Sequence, residues 1–192
     1  MTTTAQRALH MTLVAVMMAS TFQFFAITVL SVDIIEEFDI SRGAFGWIAA
    51  VNAGAGALLS LSVGRLTDRI GGRRAATLWL FIGGVGLLWT AMAANYWTLL
   101  GASVIAGSPA AGGNPATNKL IGQHVPIARR GIVTGFKQSG VQLGNFLAGL
   151  TLPAISALFG WRIAIGIYGS IMLIVAAMAA IWLPADLEDE PV

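Results

Sequence analysis

The sequence contains no cysteine, which excludes disulfides, thiolate metal sites and a thiol nucleophile. Charge is nearly as scarce: 10% of the 192 residues are Asp, Glu, Lys or Arg, whereas 56% are hydrophobic. Typical soluble domains carry about 25% charged residues. Eleven basic and nine acidic side chains could not cover a water-soluble globule of this size. The net charge of +2 is too small to argue for nucleic acid. His10 and His124 lie too far apart in sequence to suggest a local metal pair. There is no Ser-His-Asp grouping. The glycine-rich strings fall in apolar stretches, not after a strand where a phosphate-binding loop belongs. Acids are missing from the apolar stretches as well, so an intramembrane carboxylate relay has no support. Neither an enzyme, a cofactor nor a metal site is expected. The chain reads as an integral membrane protein, with the lipid bilayer as its first partner.

What is present is long apolar runs. Six stretches reach the roughly 20 helical residues that a bilayer core requires: 9–32, 43–63, 75–94, 97–120, 131–154 and 161–183. In lipid the backbone must satisfy its own hydrogen bonds, and the alternation of a barrel strand is absent, so these are predicted helices. The first run follows Arg7 like a secretion signal, but it is too long and lacks a convincing cleavage site. It is read as a retained span. On one side of the membrane fall Arg7, Arg65, Arg69, Arg73, Arg74, Lys119, Arg129 and Arg130, and on the other only Arg42 and Arg162. The positive-inside rule then places both termini in the cytoplasm, in the cell (plasma) membrane. The first outer loop is acidic (Asp33, Glu36, Glu37, Asp39), and 184–192 is an acidic cytoplasmic tail. The expected organisation is a single six-span membrane domain over 1–192.

Between the second and third spans, 64–74 reads GRLTDRIGGRR. Gly64 suits close helix approach, and Gly71 and Gly72 suit a tight turn. The arginines suit anionic headgroups. Asp68 among them can accept charge-assisted hydrogen bonds or meet a helix N-terminus. A basic loop alone would need no such acid. The segment resembles the signature loop of the major facilitator superfamily, G-x-L-(A/S)-D-R-x-G-(R/K)-(R/K). Gly64, Leu66, Asp68, Arg69 and Gly71 match it, as do Arg73 and Arg74 after one extra glycine. The resemblance implies an all-α fold of six transmembrane helices as two inverted three-helix repeats, one half of such a transporter. It also implies a second six-helix half: a missing C-terminal half, a partner chain, or a second copy in a homodimer.

The resemblance further implies that the first and fourth spans line a central cavity. In the first span Thr12, Ser20, Gln23 and Ser31 share an arc of about 100°. Gln23 reads equally as a cavity residue or as an interhelical hydrogen bond. The fourth span carries Asn114 and Asn118 one turn apart, with Pro109 and Pro115 as predicted interruptions. Ser103 stands where the family often has an arginine, which weakens any case for proton coupling through that residue. In the fifth span Thr134, Lys137, Gln138, Gln142 and Asn145 form one polar stripe, with Gly140 and Gly144 on another side. Lys137 has two readings: snorkelling to the inner headgroups, or an anion-attracting place in the cavity. The string KQSG at 137–140 resembles family members that carry small organic anions. The expectation is therefore a secondary transporter that moves a small organic solute, an anion on the second reading of Lys137, by alternating access. Its latch is expected at Gly64, Leu66, Asp68, Arg69, Gly71, Arg73 and Arg74. The rival is a non-transporting scaffold or a regulatory fragment of a transporter.

Overall fold

The computed structural model describes residues 3–186, so the acidic end of the predicted tail lies outside the described residues. Eight helices follow one another, with no strand among the described residues. They are α1 (Thr3–Val29), α2 (Ser31–Phe38), α3 (Arg42–Ile70), α4 (Gly72–Ala91), α5 (Tyr96–Gly107), α6 (Pro109–His124), α7 (Ile127–Phe159) and α8 (Trp161–Trp182). Five of them, α1, α3, α4, α7 and α8, are each long and apolar enough to cross a membrane. The sixth crossing is α5 followed by α6, of 12 and 16 residues. Proline chemistry divides it. Pro109 has no N–H to offer Ile105, whose carbonyl accepts instead from the Ser108 amide at 3.3 Å and hydroxyl at 2.7 Å. Pro115 lies within α6 without ending it, so only one of the two predicted interruptions divides the span.

Two predicted loops are helical. The acidic stretch after the first span forms α2, which stops where Asp39 turns left-handed at φ 47°. The second span runs on past 63 to Ile70, so Gly64, Leu66, Asp68 and Arg69 lie on the end of α3 and not in a loop. The cause is general: charge at headgroup depth ends the hydropathy signal, while the backbone hydrogen bonds continue. Only Gly71, at φ 88°, makes the turn.

Numbering the crossings one to six, α1 packs along α7 (one on five), α3 along α5 and α6 (two on four), and α4 along α8 (three on six). Exchanging the first three crossings for the last three leaves this set unchanged, as two inverted repeats require. The exchange is incomplete, since α4 also leans heavily on α5 and α6 whereas α8 touches α1 little. The α1–α7 seam depends on two small residues. A Cβ on Gly140 would stand 2.3 Å from the Val14 carbonyl oxygen, and one on Gly144 would stand 2.8 Å from the Met18 side chain. Gly64, read above as a close-approach position, has open space there within the bundle.

Burial is uneven. Half of the apolar window of α4 is buried, but only 17% of each window in α3 and α7. One face of the bundle is thus left uncovered. At the end opposite Arg65, Arg69, Arg73 and Arg74, Glu37 of α2 pairs with Arg162 of α8 at 2.7 Å and accepts from the Trp161 indole. Arg162 also donates to the Ala91 carbonyl at 2.8 Å and lies over Phe38, which closes the bundle there.

Candidate functional site

Lys137 decides how the polar residues are arranged. It stands on α7 and is 1% exposed, the largest fully buried side chain among the described residues. Its ammonium turns towards α6 and does not reach for the bundle end. Nζ donates to Asn118 Oδ1 at 2.7 Å, to Thr117 Oγ1 at 2.8 Å and to Asn114 Oδ1 at 3.2 Å. An ammonium has three donors, so all three are used. This geometry removes the snorkelling reading. A charge buried in apolar surroundings is costly unless it is paired, and here every partner is a neutral oxygen. The helix register explains the grouping: positions 114, 117 and 118 fall on adjoining turns of one face of α6. Thr117, which the sequence reading missed, donates onward to the Gly113 carbonyl at 2.6 Å while it accepts from the lysine. Its spacing from Asn114 was the available signal.

The other polar positions divide. Asn114 and Asn118 are exposed on the uncovered face, as are Gln138, Gln142 and Asn145 along α7. Gln142 and Asn145 line a shallow groove there with Phe146, Gly149 and Leu150. Gln23 points elsewhere. It is 3% exposed and donates to the Thr90 hydroxyl of α4 at 3.2 Å, which is the interhelical hydrogen bond of its two readings. Thr12 and Ser20 are buried too, so the polar arc of α1 faces the interior of the bundle. Ser103 is buried in α5, and its carbonyl accepts from Asn52 of α3 at 3.2 Å.

At the end bearing Arg65, Arg69, Arg73 and Arg74, Asp68 is exposed on the last turn of α3, and its carboxylate makes no hydrogen bond or ion pair among the described residues. Its backbone carbonyl accepts from Lys119 Nζ at 3.0 Å. The helix N-terminus next to Asp68 in sequence, that of α4, is filled within this chain. Asp186 Oδ1 accepts from the amides of Gly72 (2.5 Å) and Arg73 (3.2 Å), where the α4 dipole favours an anion. Arg73 also donates to the Ala180 carbonyl of α8. Arg65, Arg69 and Arg74 are exposed around this turn.

This bundle has recognisable relatives. The family model described as Major Facilitator Superfamily matches residues 12–192. Monocarboxylate transporter 14 of Homo sapiens is 27% identical over 167 residues, which is 86% of this chain and 32% of that protein. A D-xylose transporter of Levilactobacillus brevis is 26% identical over 132 residues, 68% of this chain and 29% of that one. The crystal structure of a bacterial homologue of the human lysosomal transporter Spinster, inward-facing and occupied, superposes with a TM-score of 0.89 at 20% identity. It covers 97% of this chain and 46% of the solved one. The chain thus spans about a third of the length of these curated relatives and under half of the solved chain.

Proposed function

Because the chain belongs to the Major Facilitator Superfamily, and is therefore a multi-pass membrane protein, we propose that it forms one six-helix half of a secondary transporter for a small organic anion. The transporter works by alternating access in the plasma membrane, with both termini and the arginine-bearing end in the cytoplasm. The second half covers the open faces of α3 and α7, where apolar and glycine positions stand without neighbours in this bundle.

The observation that carries the anion is Lys137. Its charge is fixed at the depth of α6, is answered by no acid among the described residues, and lies directly behind two exposed asparagines. Such a charge in a low-dielectric wall makes the adjoining face attractive to anions and repellent to cations. The relatives named for a monocarboxylate and for D-xylose differ in substrate charge, so kinship alone does not choose. Asp68, with its carboxylate free on the rim of α3, serves as a conformational latch on a helix end of the second half.

The test is uptake into proteoliposomes by the product of the complete reading frame. Labelled lactate and pyruvate are expected to enter and labelled xylose is not. Lys137→Ala is expected to lose carboxylate uptake. Unchanged carboxylate kinetics in that variant would refute the role of the lysine, and xylose uptake alone would reassign the substrate class.

A further inference from the structure

We infer that the substrate anion is held by the side-chain amides of Asn114 and Asn118, not by a direct ion pair with Lys137. The inference rests on the anion reading above and deepens it.

Two observations exclude the lysine as the contact. It is 1% exposed, so a solute on the open face does not reach it. Its three N–H bonds are also all engaged, with Asn118, Thr117 and Asn114. A direct ion pair would require one of these bonds to break and the ammonium to come out.

The same contacts fix the orientation of the asparagines. An ammonium only donates, so the atom that each carboxamide turns to Nζ must be its oxygen. Each –NH2 group then lies across Cγ from that oxygen, turned away from Nζ. Both residues are exposed there, and neither –NH2 has a partner among the described residues. Asn114 and Asn118 are four residues apart in α6, so their side chains are neighbours on one helix face, about 5–6 Å apart at Cβ. Two neighbouring amide donors can each serve one oxygen of a carboxylate, or of a sulfonate. The cation bonded to the other end of each amide draws electron density towards its oxygen, which makes the N–H groups better donors to an anion. Lys137 is therefore a positioning residue. It fixes the rotamer of both amides and supplies the charge behind them, and Thr117 holds its third donor.

The arrangement predicts an unusual response to substitution. Under the direct ion-pair alternative, Asn118→Ala removes a competitor for Nζ, so affinity should stay the same or tighten. Under the asparagine reading, the same change removes a donor to a charged group. Carboxylate KM should then rise roughly tenfold or more. Asn118→Asp still satisfies Nζ, and so should fold, but it presents no N–H and adds a repelling charge.

The experiment measures lactate uptake by the complete reading-frame product in proteoliposomes, with thermal melting in detergent as the control for folding. Expected are a raised KM in Asn114→Ala and Asn118→Ala, loss of uptake in Asn118→Asp with melting retained, and partial recovery in Asn118→Ser, whose hydroxyl can accept from Nζ and donate outward. If the wild type carries lactate and the two alanine variants keep its KM, the asparagine contact is overturned while the anion reading stands. If the wild type carries no carboxylate or sulfonate at all, both fall together.

Discussion

A buried lysine surrounded by neutral oxygens holds a charge that the bundle solvates but does not cancel. Asp68 is its opposite in setting, an exposed carboxylate with no hydrogen bond or ion pair among the described residues. Because the N-terminus of α4 is already taken by Asp186, a latch role for Asp68 requires a partner outside the described residues. Asp68→Asn is isosteric and sits in solvent, so it should leave expression and melting within about 0.5 kcal/mol of the wild type. Transport in vesicles, in contrast, is expected to be lost, and normal uptake by the variant would remove the latch. How much could be read in advance differs sharply among these residues. Lys137 was recognisable as exceptional from its type alone, since a cation in an apolar run needs an explanation. Its direction was not. The choice between snorkelling and turning inward depends on acceptors 19 to 23 residues away on another helix. The partner of Gln23 lies 67 residues off and that of Asp186 some 114, distances at which local periodicity carries no information.

Among the elements, α7 is pressed against α1 on one side and open on the other. Gly140 and Gly149 sample the two sides of this helix. A side chain at Gly140 would run into the backbone of α1, whereas Gly149 has nothing within 4 Å of its would-be Cβ. Gly140→Val should therefore lower the stability of the bundle by about 1–3 kcal/mol, as overpacked sites do. Gly149→Val should leave the isolated bundle unchanged. Thermal melting of the two variants in detergent checks this, and equal melting points would mean that the α1–α7 seam is looser than described. Helix existence was legible because twenty or so apolar residues in lipid have few alternatives to a helix. Helix ends were less so. The α3 extension to Ile70 and the whole of α2 carry charges that read as loop, yet charged side chains at a membrane surface do not interrupt backbone hydrogen bonding. The division of the fourth span followed from Pro109, and the continuity of α6 through Pro115 did not.

At the scale of the whole molecule, the two ends of the bundle are closed by different chemistry. One end is tied by Asp186 on the α4 amides, and the other by Glu37, Trp161 and Arg162. The proposed orientation puts the first inside the cell. This chain contains no cysteine, so a single cysteine placed in it meets no background from its own 192 residues, and the unsubstituted protein serves as the labelling blank. Glu36→Cys, exposed on α2, should react with an impermeant maleimide on intact cells, and Arg65→Cys, exposed near the end of α3, only after permeabilisation. The reverse pattern would invert the topology and with it the reading of the arginines. The joint at Ser108–Pro109 has a mechanical consequence of its own. Downstream of it α6 is a rigid arm, with Asn114 about 7.5 Å and Asn118 about 13.5 Å from the pivot at 1.5 Å per residue. A swing of about 10° would carry the nearer asparagine roughly 1 Å and the farther one roughly 2 Å, enough to part both from the ammonium on α7, since they start 3.2 Å and 2.7 Å from it. The longer arm holds the shorter bond, so a small rocking movement at this one joint would release both asparagine grips on the ammonium nearly together.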